Sequence, residues 1–297
     1  MNSLRTLLSS AIDYAGLFPP ANLGMQQAVE DYSAYLRSEC SWMLGRFIVP
    51  ITRLQEFENA SCKLPTASLP KPWHLTALSG PRLDDSVSLI RAFNAKHAGE
   101  SSTGAAIDTI ELKASKPDEI SKLNGLPDSV VTYVEIPVDT NPEPLVETIR
   151  NIGARAKVRT GGILKNMFPK SADIIRFMIA CVNAGVPFKA TAGLHHPIRG
   201  RYRLTYERDS PSGMMYGFLN LLLTAAFIST GMKEAEAMRL LEEENPDNFQ
   251  IDEDGMSWMD HRLQLDDIRK ARKTVAISFG SCSFTEPIDE LKKLRLL

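Results

Sequence analysis

The chain has 297 residues, enough for one large core such as a barrel domain and too many for a small domain held together by staples. Lys plus Arg number 34 against 36 Asp plus Glu, a formal net charge of −2. No basic block runs along it of the kind that follows a phosphate backbone, which argues against nucleic acid as a partner. A composition 43% hydrophobic and 24% charged excludes extended disorder, and only Gly99 to Gly104 is briefly low in complexity.

Short β-type runs alternate with amphipathic stretches from end to end, the pattern of repeated βα units. The strands fall at residues 9–15, 45–50, 73–79, 106–112, 130–136, 155–160, 187–192 and 275–280. Between them, Met25, Val29, Tyr32 and Leu36 form one helical stripe, Asn141-Pro142 opens a helix that Gly153 closes, and Ser171 opens another whose Ile174, Met178 and Cys181 share a face before Gly185. Eight such units predict an α/β fold, a closed (β/α)8 TIM barrel over residues 1–297, because closure removes both sheet edges. An open doubly wound sheet is the alternative.

Residues 197–273 are too many for one barrel helix and are read as a helical insertion before the last strand. Asp252-Glu-Asp-Gly255 within them reads as a hairpin turn. An insertion there is placed to cover the barrel mouth or to mediate subunit contact in a homo-oligomer. Residues 210–232 carry no charge, but polar residues and glycines dilute the run, and a buried helix is expected rather than a membrane span. Cys40, Cys62, Cys181 and Cys282 show no metal-ligand spacing, so a reducing compartment is the simplest reading. With no basic n-region or cleavage motif near the amino terminus, a cytoplasmic location is expected. No motif calls for a metal or a cofactor, and the expected partner is a small-molecule substrate.

Strands buried on both faces should be apolar, yet six of these carry charge: Asp13, Arg46, Asp108 with Glu111, Glu135, Lys157 with Arg159, and Lys189. Alternation puts Lys157, Arg159 and Gly161 on one face, and Lys189, Thr191, Gly193 and His195 on another. If both lysines point inward they approach each other, and proximity and burial then favour a neutral amine, a nucleophile towards carbonyls. Asp108 or Glu135 would move the proton. The glycines of Thr160-Gly161-Gly162, Ala192-Gly193 and Gly280-Ser-Cys-Ser283 expose backbone amides suited to an anion at the ends of the last strands, or else simply end those strands.

In chain order these motifs resemble deoxyribose-phosphate aldolase and its relatives, class I aldolase barrels with a Schiff-base lysine. Ile12-Asp-Tyr-Ala-Gly-Leu-Phe-Pro-Pro-Ala21 is similar to the opening I-D-H-T-L-L-K-P-x-A of that family, and Gly104-Ala-Ala-Ile-Asp108 followed by Thr-Ile to G-A-x-E-I-D-M-V with one residue missing. Val134-Glu135 sits where the family has V-I-L-E-T, and Lys157-Val-Arg-Thr-Gly161 resembles K-T-S-T-G. Phe188-Lys-Ala-Thr-Ala-Gly193 resembles V-K-A-S-G-G, and Phe279-Gly-Ser-Cys-Ser283 resembles I-G-T-S-S.

The resemblance implies that Lys157 forms a Schiff base, that Lys189 lowers its pKa, and that Asp108 serves proton transfer with support from Asp13. It also implies that Gly193, Gly280 and Ser281 hold a phosphate or other anion. Three departures bear on the substrate: Arg159 beside the nucleophile suits a carboxylate or phosphate, His195 and His196 follow the seventh strand, and the insertion is long. The expected activity is therefore that of an aldolase-like carbon–carbon lyase acting on a small carbonyl compound that carries a phosphate or carboxylate. Two alternatives stand beside it. One is a divalent-metal barrel using Glu111, Glu135 and His195 or His196, and the other is a barrel without catalysis that binds a ligand or partner.

Overall fold

The computed structural model describes residues 2–64, 72–98, 104–123, 127 and 129–297. Of the low-complexity tract, Gly99 and residues 100–103 lie outside the described residues. Every predicted strand window contains a strand: β1 (Ile12–Tyr14), β2 (Leu44–Pro50), β3 (Trp73–Leu78), β4 (Ala105–Lys113), β5 (Val131–Glu135), β6 (Arg155–Arg159), β7 (Phe188–Thr191) and β13 (Ala276–Ser281). All are parallel and neighbour one another in chain order, with β13 closing the circle between β7 and β1. The fold is thus the expected α/β (β/α)8 TIM barrel.

The helices follow their punctuation. In α2 (Met25–Leu36), Met25, Ala28, Val29 and Tyr32 are buried, so the stripe covers the sheet. α6 (Glu143–Asn151) ends before Gly153, and α7 (Ser171–Ala184) ends at Gly185, whose φ of +66° suits glycine and whose N–H reaches the Cys181 and Val182 carbonyls. The barrel is completed by α1 (Asn2–Leu8), α3 (Leu54–Ser61), α4 (Leu83–His97), α5 (Pro117–Ser121) and α11 (Thr285–Lys293).

Residues 197–273 are not wholly helical, as expected from sequence, but mixed. β8 (Gly200–Arg203) and β9 (Ser212–Met215) form an antiparallel pair, followed by α8 (Phe218–Ser229) and α9 (Glu234–Leu241). A three-stranded antiparallel sheet, β10 (Phe249–Ile251), β11 (Gly255–Trp258) and β12 (His261–Gln264), then leads into α10 (Leu265–Thr274). Strands of three or four residues are too short for period-two alternation to stand out in the sequence. The Asp252 turn does connect β10 to β11, with its Oδ1 accepting from the Asp254 and Gly255 amides.

The uncharged run splits into β9 and α8, and no helix among the described residues is long and apolar enough to cross a membrane. Every residue of α8 from Phe218 to Ile228 is buried, and Phe218 stacks on Phe279 of β13 with ring centroids 5.0 Å apart. Asn220, buried on that helix, donates to the Leu240 and Glu243 carbonyls and accepts from the Arg199 amide, each at 2.9 Å. Burial of so polar a group is tolerated because its amide is satisfied on both ends.

Candidate active site

Register assembles the site. Glu135, Lys157, Lys189 and Ser278 are abreast on β5, β6, β7 and β13, so their side chains leave the sheet on one side, towards the barrel axis. Glu111 on β4 and Asp13 on β1 reach the same place across the barrel. Lys157 Nζ lies 2.6 Å from Glu111 Oε2 and 2.8 Å from Glu135 Oε2. Lys189 Nζ lies 2.6 Å from Glu111 Oε1 and 2.5 Å from Asp13 Oδ2, and 5.4 Å from the centre of the Tyr133 ring. The two amines are therefore bridged by one carboxylate, one on each oxygen.

The outer contacts hold this core in place. Ser278 donates to Asp13 Oδ2 at 2.8 Å, and the Arg46 amide donates to Asp13 Oδ1 at 2.8 Å. Arg159 Nε donates to Glu135 Oε1 at 3.2 Å. Three inner cations, Lys157, Lys189 and Arg159, thus meet three carboxylates, Asp13, Glu111 and Glu135, and these six are neutral when all are ionised, while the exposed Lys113 approaches Glu135 Oε1 from outside at 3.6 Å.

These contacts correct the expectation that the two lysines chiefly repel each other. Burial favours a neutral Lys189, but Asp13 and Glu111 outweigh it and hold that ammonium above the ordinary lysine range. Burial likewise raises the Glu111 carboxyl, yet Lys189 and Lys157 carry it down to about 2. Glu135 is held below the carboxylate range by Lys157 and Arg159 against its burial.

A cavity of about 280 Å³ opens onto this cluster. Lys157, Glu111 and Arg159 line it, whereas Lys189, 1% exposed, does not. Of the two amines, the cavity reaches Lys157. The walls are otherwise mainly apolar, with Phe18, Ile48, Leu78 and Met215 among them, together with the cis-linked Pro19 and Pro20.

Asp108 is not brought to the cluster. Leu75 pairs with Ile107 and Thr76 with Thr109, so Asp108 is the extra residue of a bulge in β4, outside the regular in-and-out alternation. It accepts from Arg46 at 2.6 Å and 3.1 Å and lies 2.8 Å from His74 Nδ1. Three residues along β4, about 10 Å at strand rise, separate it from Glu111, which occupies the position expected of Asp108.

Gly162, Thr191, Gly193 and Gly280 line the cavity, while Gly161 and Ser281 do not. A Cβ on Gly161 would come 2.5 Å from the Phe168 ring, one on Gly162 2.6 Å from Met167 Sδ, and Gly193, at φ +75°, faces Phe168 at 3.0 Å. Close packing of Phe168 and Met167 accounts for Gly161 and Gly162, and the left-handed backbone for Gly193.

The adjacent histidines diverge. His195 lines the cavity, with both ring nitrogens 3.9 Å from Cys282 Sγ and Nδ1 3.2 Å from Glu286. His196 stacks on Tyr202 and pairs with Glu290 at 2.8 Å. Glu111 and Glu135, the carboxylates of the metal alternative, are each held by lysine, and neither histidine contacts them. Among the described residues no group of three or more His, Cys, Asp or Glu side chains is arranged to hold a metal ion.

No protein-family model, curated protein or solved structure matches the chain. The functional reading accordingly rests on the site itself.

Sequence reasoning took Glu111 only as a strand charge and as a ligand of the metal alternative, not as a partner of the lysines. Its position two residues after Thr109, on the inward face and near the carboxyl end of β4, is the signal that separates it from Asp108. Ser278 carried no such signal, since a serine in a strand is unremarkable, and Cys282 was noted only as part of the Gly280-Ser-Cys-Ser283 stretch at the end of the last strand.

Proposed function

We propose that this barrel is a class I, aldolase-like carbon–carbon lyase in which Lys157 forms an iminium with a small carbonyl compound. The observation that carries the reading is the placement of Lys157, between two carboxylates and facing a cavity of about 280 Å³, with the second amine sealed behind it.

An ammonium must lose its proton before it attacks, and carboxylate oxygens 2.6 Å and 2.8 Å away are within direct transfer distance. The amine nitrogen then bonds to the carbonyl carbon and the C=O π pair moves to oxygen; that oxygen takes one proton from the nitrogen and the one held by the carboxylate, and the C–O bond breaks to release water and leave an iminium. Because the iminium carries the same single positive charge as the ammonium, the surrounding carboxylates stabilise both. In cleavage, a carboxylate accepts the proton of the β-hydroxyl and the C–C bond electrons flow into the iminium, giving an enamine. Glu111 is best placed for this proton, since it touches Lys157 and lines the cavity. Lys189 and Asp13 fix its position from behind.

Arg159 supplies a fixed positive charge at the cavity wall and suits a carboxylate or phosphate on the substrate. The apolar walls favour a short hydrocarbon body with one anionic group over a polyhydroxylated chain, whose hydroxyls would be left unpaired there. The resemblance to deoxyribose-phosphate aldolase points to the same chemistry, with Glu111 in place of Asp108.

Exchange at carbon tests the reading. With pyruvate in D2O, proton NMR should show the methyl protons replaced by deuterium faster than in buffer, and the Lys157→Met variant should lose that acceleration. Equal exchange by the variant, or none by the wild type with pyruvate, acetone or acetaldehyde, would contradict it.

A further inference from the structure

The wall of the cavity formed by β13 and the loop after β7 carries a cluster that the lysine chemistry leaves unused. Cys282 is buried from outside solvent yet lines the cavity, and its sulfur is 3.9 Å from both nitrogens of His195. Glu286 Oε2 lies 3.2 Å from His195 Nδ1 and accepts from the Tyr206 hydroxyl at 3.0 Å, while that hydroxyl is 3.6 Å from the sulfur. A thiol, an imidazole and a carboxylate in series are the parts of an activated sulfur nucleophile, in which the carboxylate orients the ring and the ring carries the proton of the thiol. Burial pushes the His195 ring down, but Cys282 and Glu286 outweigh it and take it up to about 10.

We propose that Cys282, with His195 and Glu286, is a second reactive centre in the same cavity, a nucleophile towards small electrophilic carbonyl compounds that carry a carboxylate. The sulfur bonds to the carbonyl carbon, the C=O π pair moves to oxygen, and that oxygen takes the His195 proton, giving a hemithioacetal with no other reactant. The carboxylate preference comes from Arg159 and protonated His195, both on the cavity wall.

Alkylation tests this without knowledge of the substrate. Iodoacetate and iodoacetamide both form an S–C bond with loss of iodide and differ in carrying a carboxylate or a neutral amide. Peptide mapping of the native full chain compares Cys282 with Cys62, which is exposed and serves as the internal reference. The ratio of iodoacetate to iodoacetamide labelling should be higher at Cys282 than at Cys62 by at least about tenfold, the size of one charge-assisted contact. His195→Gln should slow Cys282 labelling by a similar factor and leave Cys62 unchanged. Glu286→Gln should slow it in the same direction, and provides the test should the histidine variant fail to fold.

Failure of Cys282 to label while Cys62 does, an equal reagent ratio at the two, or a rate insensitive to both variants overturns the proposal. Selective labelling without pyruvate exchange would retain this centre and remove the lysine chemistry, and exchange without selective labelling would do the reverse.

Discussion

Glu111 is shared by two ammonium groups in a place nearly closed to solvent, and its loss should be felt twice. Glu111→Gln leaves the six-member set with one uncompensated positive charge, and breaking a buried pair in this way costs about 3–5 kcal/mol. Urea unfolding should therefore show a variant less stable by at least about 3 kcal/mol, with part of the loss recovered when Lys189→Met is added, because the two residues are coupled. A loss under about 1 kcal/mol would mean that these ions are hydrated in solution. Alternation along each strand put Lys157 with Arg159 and Lys189 with Thr191 on shared faces, and the register of the paired strands sets Lys157, Lys189 and Glu135 abreast on the inward one. The identity of the bridging carboxylate did not follow in this way, because a bulge at Asp108 breaks the alternation on which the reading depends, and a bulge is a property of two paired strands rather than of one segment.

At the scale of elements, the loop after β6 is shaped by contact with Phe168 and Met167. A Cβ on Gly161 would sit 2.5 Å from the Phe168 ring, closer than any side chain tolerates, so Gly161→Ala must displace the ring or the loop that follows Arg159. The expected result is a loss of about 1–3 kcal/mol in thermal or urea unfolding, the usual range for overpacking. A variant of unchanged stability would show that the loop rearranges freely. Strands and barrel helices were legible because each is bounded by turn residues and carries one period of hydrophobicity throughout. The inserted segment was legible only in its length, its Asp252 turn and its uncharged helix. Its short strands are fixed by pairing with one another rather than by any period within each, as when Trp258 pairs with His261 on one side and Phe249 on the other.

For the whole molecule, buried ion pairs at the barrel centre and the His195 cluster together set the pH range of stability. Glu111, lowered from 4.5 to about 2, contributes stability that is complete above pH 4.5 and is lost as pH falls towards 2. Glu135 and Glu286 are lowered too and act in the same direction. His195, raised from 6.5 to about 10, contributes stability that is complete below pH 6.5 and is lost as pH rises through 10. The melting temperature should therefore be highest between pH 4.5 and 6.5 and fall on both sides, with the alkaline fall reduced in His195→Gln. A melting temperature that keeps rising from pH 6.5 to 10 would contradict these charge states.

The central claim is that one particular amine attacks carbonyl compounds, and reductive capture with peptide mapping reads it most directly. Pyruvate, acetone and acetaldehyde are each added with borohydride, and the digested chain is analysed by mass spectrometry. The account predicts an irreversible adduct on the peptide holding Lys157, at a rate far above that of surface lysines, and its disappearance in Lys157→Met with Lys189 unmodified in both proteins. Adducts spread evenly over exposed lysines, or an adduct on Lys189 in the wild type, would contradict it.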